Sequence, residues 1–347
     1  MIDPVLENRD FRRHALVLPL LAALLLLLAV LSLGIGPVSI APGKVVDLLI
    51  HGAGDTPGDE AAAVIVRHLR PPRLLLAILV GASLGMCGAV MQGFFQNPMA
   101  DPYIIGVSSG AALGATIALA FGVDLWFFGV HSVSIFAFSG ALAVTLLVYA
   151  VARRGGRVPT TLLLLTGVAV GSLAAAATSL VMISGKTDLH RILFWLLGSF
   201  SSRRWEHVNM LWPWVLLGVG TLQFFARDLN VLLQGEENAQ FLGVDVERVK
   251  RILLVVTALL TAAAVSVSGI IGFVGLIVPH VMRLLVGPDH RRLLPASLLG
   301  GAILMVAADM LARTLMAPAE VPVGVITALV GCPFFLYLLS RRRDVAL

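Results

Sequence analysis

The side chains that could do chemistry are few, and their spacing leaves most of them without the partners that chemistry needs. "GVSSG" (Gly106 to Gly110) matches the G-x-S-x-G pattern of a nucleophilic serine. That pattern works on a strand–turn–helix with an acid and a histidine to activate the hydroxyl. Here Ser108 opens an apolar run with no compelling Asp and His partners, so the string reads as helix packing. "GKT" (Gly185 to Thr187) resembles the end of a phosphate-binding loop, but the first glycine of G-x-x-x-x-G-K-[ST] would fall on Leu180. No ATP site is expected on this chain. There is no H-E-x-x-H, which argues against a zinc protease. Cys87 and Cys332 both fall in apolar runs and offer neither a disulfide framework nor a metal cluster.

The remaining polar groups sit among long apolar segments, where an ionisable side chain is costly and usually functional. Asp309 and Arg313 stand four apart near a helix end and can pair with each other. His280 and Arg283, in "LIVPHVMRLL", lie toward the inner end of another apolar run, where a lone histidine reads as structural. In "GFFQNPMADPYIIGVSSG" (Gly93 to Gly110), Pro98 and Pro102 disfavour helix at Asn97 and Asp101. Asn97 and Asp101 can satisfy the backbone groups that the break leaves open. The spans otherwise hold almost no charge, which counts against an ion-coupled secondary transporter, the rival from another class.

The elements that must position these groups follow from composition. Of 347 residues, 58% are hydrophobic and 13% charged, and the mean hydropathy is +0.95, as expected of a chain whose solvent is lipid. Ala15 to Gly36 carries no charge and meets the ~20 residues needed to cross a bilayer. Arg9, Arg12 and Arg13 precede it, but the run is too long for a signal peptide and no small-residue cleavage pattern closes it. Apolar runs between polar punctuation give ten spans, near 14–36, 73–95, 103–122, 126–151, 160–183, 208–226, 250–269, 271–286, 295–312 and 322–340. The seventh and eighth are separated by Gly269 to Gly275, a break or a bend. With both termini inside, 16 Lys and Arg fall in inner loops and 9 in outer ones, so both termini are expected in the cytoplasm. The net charge of +5 is scattered over loops, which argues against nucleic acid.

Three segments outside the spans stand out. "APGKVVDLLIHG" and "GKTDLHRILFWLLGSFSSRRWEH" are expected to form short interfacial helices on the outer side. "RDLNVLLQGEENAQFLGVDVERVK" is an inner loop with helical spacing and paired acids. Small residues four apart, Gly81 and Gly85, then Gly167, Gly171 and Ala175, would let helices approach closely. The fold class is thus an all-α polytopic membrane protein, a single transmembrane domain over 1–347.

The blocks "LRPPRLLLAILVGASLGMCGAVMQGFFQNPMADPYIIGVSSGAALG", "GIIGFVGLIVPHVMRLLVGPDHRRLLPASLLGGA" and "ADMLARTLMAPAEVPVGVITALVGCPFF" resemble the signature blocks of FecCD-type permeases. These are the membrane subunits of ATP-binding-cassette importers for iron–siderophores, haem and cobalamin. The likeness covers nearly the whole chain in order. One departure is Pro71, where the family's "RLPR" has leucine. The resemblance implies ten spans per subunit, a second copy of the chain, two cytoplasmic ATPases and an external binding protein. It also implies a prokaryotic inner membrane, no cofactor on this chain, and ATP and Mg on the partner subunits. It implies iron(III)–siderophore as the leading cargo, with cobalamin and haem as alternatives. By position, Asn97 and Met99 match residues near the cytoplasmic gate, and Thr160 and Thr161 match the loop that narrows the pathway. Arg70, Arg73 and Arg313 match outward arginines that pair with the binding protein. Gly235, Glu236, Glu237, Ala239, Leu242 and Gly243, within a loop of about 228–249, match the coupling helices that dock on the ATPases.

Overall fold

The computed structural model describes residues 4–52, 59–127, 130–185 and 189–342. Lys186 and Thr187 of the "GKT" string, and Arg343 of the inner charge count, lie outside them. Along the chain come α1 (Pro4–Gly34), α2 (Pro42–Ile50) and α3 (Asp59–Val64). One wide helical turn (Ile65–Leu69) then leads into α4 (Arg70–Phe94). A 3₁₀ turn (Pro102–Ile105) precedes α5 (Val107–Ala120). Then follow β1 (Trp126–Phe127), β2 (Val130–His131), α6 (Ser132–Ala152), α7 (Thr160–Ser184) and α8 (Leu189–Leu196). The second half holds α9 (Trp205–Phe224), α10 (Ala226–Leu232), α11 (Glu236–Phe241), α12 (Val246–Ser268), α13 (Val274–Val286), α14 (His290–Thr314) and α15 (Val323–Arg342).

Caps set many of these boundaries. Asp101, Asp245 and Asp289 each accept a backbone N–H from the first turn that follows, from Tyr103, Arg248 and Arg291 respectively. Each supplies the acceptor that the first helical turn lacks. Pro71 and Pro72 lie in the first turn of α4, where a missing N–H costs nothing.

Among the described residues, six helices are long and apolar enough to cross a membrane. The α9–α10 pair passes the same test but bends by 49°, and three shorter apolar helices lie at Val107–Ala120, Val274–Val286 and Val323–Tyr337. The span expected over 126–151 starts later. Residues Trp126 to His131 include a two-residue antiparallel ladder, and the helix begins at Ser132, whose hydroxyl donates to Val123 O. The His131 ring accepts the Val133 N–H, which fixes the start of α6. The segment between the seventh and eighth spans is a true break: α12 stops at Ser268, and Gly269 and Phe273 both take positive φ before α13. The two expected interfacial helices are present as α2 and α8, and the expected inner-loop helices as α10 and α11.

At the centre stands α4, buried along most of its length, with α14, α13, α12 and α9 packed around it. A second group, α5, α6 and α7, packs alongside. The helices meet backbone to backbone. A Cβ added at Gly81 would lie 2.3 Å from Gly301 O, and one at Gly88 would lie 2.0 Å from Gly275 O. Gly85 is likewise closed in by Ser297 O, so the Gly81/Gly85 pair does bring helices together. Of the other small-residue run, a Cβ added at Gly167 would lie 2.2 Å from Ile104 O, one added at Gly171 would meet only the Ser109 hydroxyl, and Ala175 is exposed.

Gly301→Ala should therefore push α14 off α4 and cost about 1–3 kcal/mol by overpacking. Gly220→Ala, in α9 with nothing within 4 Å of a new Cβ, should not. Thermal unfolding of the two purified variants in detergent measures the difference.

Candidate functional site

At one end of the bundle, three segments singled out by sequence come together. The first is the turn after α4. Gln96 takes φ +49°, and its N–H bonds to Gly93 O at 3.1 Å, while Asn97 N–H reaches Gln92 O at 3.0 Å. These two bonds cap the carbonyls that end the helix. Asn97 Oδ1 then accepts Met99 N–H at 2.9 Å, and Asp101 Oδ1 accepts Tyr103 N–H at 2.8 Å, as the two prolines led one to expect. Burial pushes the Asp101 carboxyl up to about 6, partly opposed by that Tyr103 N–H. The Tyr103 hydroxyl donates to Ile271 O at 2.9 Å, which fastens the turn to the break between α12 and α13.

The second segment is the start of α7. Thr160 is half-buried and Thr161 exposed, and the buried Val158 lies just before them. Through Gly167, α7 rests on the 3₁₀ turn that follows Asn97. The third segment is the α10–α11 loop. Gly235 (φ +101°) starts α11 and Gly243 (φ +83°) ends the loop, backbone shapes that favour glycine. Ala239 is fully buried and anchors α11. Glu236 and Glu237 are exposed, as is Leu242, while Phe241 stands 89% exposed.

Side chains tie the loop to the bundle. Gln96 Nε2 donates to Leu232 O at 2.9 Å. Asn230 Oδ1 accepts His290 N–H at 2.9 Å, and Asn230 Nδ2 donates to Asp289 Oδ1 at 2.6 Å. Although burial opposes its charge, Asp289 is held below the usual carboxylate range by the Arg291 N–H, the Asn230 amide and the nearby Arg291 and Arg292. Lys250 Nζ donates to Glu236 Oε1 at 2.8 Å and to Val158 O at 3.2 Å. Phe241, Lys250, Gln96 and Asn230 were not singled out by sequence. An exposed phenylalanine in an otherwise polar loop was the available signal for the first.

The opposite end holds the three arginines. By resemblance they match outward arginines that pair with the binding protein; within the chain their guanidiniums are also engaged by its own groups. Arg70 is 7% and Arg313 3% exposed. Arg70 donates to the carbonyls of Leu33 and Val38. Arg313 donates to Ser32 Oγ (2.8 Å), Ile35 O (3.0 Å) and Asp309 Oδ2 (3.1 Å). Arg73 is shared between Asp309 (2.8 Å) and Glu320 (2.7 Å). The physical reason is accounting of charge: a buried Asp309 needs cationic partners, and the open carbonyls where α1 ends need donors. Asp309 and Arg313 pair as their spacing implied, but the contributions of Arg73 and Glu320 were not visible in sequence. The His280 ring packs edge-on against Phe334, a structural placement.

This architecture defines a polytopic helical membrane protein with a structured loop fixed to one end. The FecCD transport family model matches residues 24–341. The chain is 52% identical over 288 residues to the cobalamin import system permease protein BtuC of Halobacterium salinarum, covering 83% of this chain and 76% of that one. It is 41% identical to the hemin transport system permease protein HmuU of Yersinia pestis, over 94% and 96% of the two chains. It is 38% identical to the Fe(3+)-citrate import system permease protein YfmE of Bacillus subtilis, over 96% and 97%. A solved metal-chelate type ABC transporter in an inward-facing conformation superposes with a TM-score of 0.82 at 35% identity, over 94% of this chain and 99% of that one. The chain belongs to the FecCD transport family. It is a membrane-spanning permease subunit of an ATP-binding-cassette importer, resident in the inner membrane, and such permeases work with ATPase and binding-protein partners.

Asp309→Ala would leave the Arg73 and Arg313 guanidiniums buried without their shared carboxylate. A loss of about 3–5 kcal/mol is expected from breaking such a buried ion network. It should appear as a lowered unfolding midpoint of the purified permease, with Glu237→Ala as the exposed-charge control.

Proposed function

We propose that the chain forms the pathway with a second copy of itself and passes a metal chelate into the cytoplasm. In this proposal ATP and Mg act on two ATPase subunits and no cofactor is held here. The carrying observation is the α10–α11 loop. It presents Phe241 and Leu242 to solvent from a backbone anchored by Ala239, Gln96 and Asn230. Exposed apolar side chains on a firmly held polar loop suit a protein groove better than water. On this basis the loop lies in the cytoplasm with both termini, consistent with the inner-loop excess of Lys and Arg. The six long helices, the bent pair and the three shorter ones are read as ten spans.

The dimer is supported by α7, in which only Leu163, Gly167, Ala174 and Thr178 are buried within the chain, whereas α4 is buried along most of its length. Its small residues and its start at Thr160 and Thr161 suit a helix that lines a path between two copies. Asn97, Met99, Thr160 and Thr161 then form the cytoplasmic gate. The path carries weakly polar groups, which fits a conduit that must release its cargo. The arginine end lies outside. Arg70, Arg73 and Arg313 serve docking indirectly, by fixing the rim on which a binding protein sits.

For cargo, the relatives carry cobalamin, haem and ferric citrate by name, so a bulky metal chelate is the shared chemistry. The 52% identity to a cobalamin permease puts a corrinoid first for testing, ahead of the iron–siderophore favoured by family usage. Uptake of cobalamin, haemin and ferric siderophores by the complex reconstituted with its ATPases and binding protein decides among them. Accumulation without ATP or ATPases would overturn the proposal.

Phe241→Asp should abolish ATPase co-purification while leaving the permease's elution and melting unchanged. Retention of the ATPase by this variant would remove α11 from the docking surface.

A further inference from the structure

We infer that Lys250 is a positioning residue that makes the coupling helix, the gate loop and the end of α4 move as one body. The inference rests on the proposed ATP-driven function and adds to it a specific transmission element. Lys250 sits in the second turn of α12, and its side chain is 6% exposed. Its ammonium has three protons to place and no acceptor of its own. One goes to Glu236 Oε1 at 2.8 Å, in the first turn of α11. Another goes to Val158 O at 3.2 Å, two residues before Thr160 and the start of α7. The ammonium also lies 5.9 Å from the centroid of the Phe94 ring, the last residue of α4 and the one that leads into the Asn97 turn. That distance is within cation–π range.

These three neighbours belong to the three segments that the proposed mechanism must connect. A compact ammonium can hold them together because it is a strongly hydrated point charge that tolerates burial only with its partners in place. Pulling α11 away would leave the cation facing a lone carbonyl and an aromatic ring. Moving Val158 away would remove the neutral acceptor that completes its shell. The cheaper motion keeps all three contacts and carries Val158, and with it Thr160 and Thr161, along with α11. Glu236 is about half exposed, so water screens its side of the pair. The buried Val158 carbonyl is therefore the contact that makes the link specific to the gate loop.

The test uses the full complex of permease, ATPases and binding protein in liposomes. Spin labels at the exposed Arg157 and Gln240, both substituted by cysteine with Cys332 replaced by serine, report the distance between gate loop and coupling helix. In the otherwise unaltered chain a narrow distance distribution should persist between nucleotide-free and ATP-trapped states. In Lys250→Met it should broaden or shift between them, and cargo moved per ATP hydrolysed should fall at least about fivefold, the lower end of ordinary site-to-site coupling. Lys250→Arg, which can keep both acceptors, should restore most of that ratio. A distance that changes between states with Lys250 intact overturns the inference even if Lys250→Met fails to assemble. So does a Lys250→Met complex with normal cargo per ATP. Failure of the underlying function looks different, because the unaltered complex would then show no ATP-dependent uptake at all.

Discussion

Backbone-to-backbone contact along α4 is the constraint on which the rest of the molecule depends. In lipid, apolar side chains gain little by leaving their solvent, so helices associate through close packing and satisfied polar groups. Gly81, Gly85 and Gly88 place one face of α4 directly against carbonyls of α14 and α13. That contact makes α4 the most buried long helix, and both polar regions are built on its ends. Arg70 and Arg73 begin it, and Phe94, Gln96 and Asn97 lie at or just beyond its other end. A shift in how α4 sits would therefore reach the arginine cluster and the Asn97 turn together.

The two ends solve the problem of polar groups in different ways. At the arginine end, a single buried carboxylate, Asp309, collects two guanidiniums, and the spare donors close carbonyls at the end of α1. Almost every donor there is occupied by the chain itself. At the other end, the polar groups are distributed singly: Asn230 on Asp289 and His290, Gln96 on Leu232, Lys250 on Glu236 and Val158. Except for Lys250 with Glu236, each bond joins elements distant in sequence. The first arrangement resists motion. The second joins parts that can still move relative to solvent and to a partner.

Much of this was legible in the sequence because lipid imposes a simple code. Apolar length located the spans, and Pro98 and Pro102 located the turn. The Gly81/Gly85 spacing located a helix contact. The 126–131 region was misread because its apolar residues fit a helix as well as a hairpin, and only the His131 and Ser132 caps decide. The intrachain partners of the arginines were hidden for a more general reason. A charged side chain at a helix end looks the same in sequence whether it reaches outward or turns back to a buried carboxylate. The deciding partners, Asp309 and Glu320, lie 236 and 247 positions from Arg73. Lys250 was invisible for a related reason: its most informative partner is a backbone carbonyl, which has no residue-type signature.

The contrast between α4 and α7 suggests where the chain can yield. With α4 enclosed on several sides, displacing it means breaking backbone contacts to two helices at once. Helix α7 is held mainly by its packing on α5 and α6 and by the approach of Gly167 to Ile104 O, and most of its surface is free of the chain's own core. Packed interfaces switch between discrete arrangements rather than deforming smoothly, so motion concentrates where fewest contacts must be exchanged. On the reading proposed above, a displacement of α11 reaches the end of α4 and the start of α7 together through Lys250. The backbone contacts along α4 oppose that displacement, so the contacts exchanged are those that hold α7 to α5 and α6.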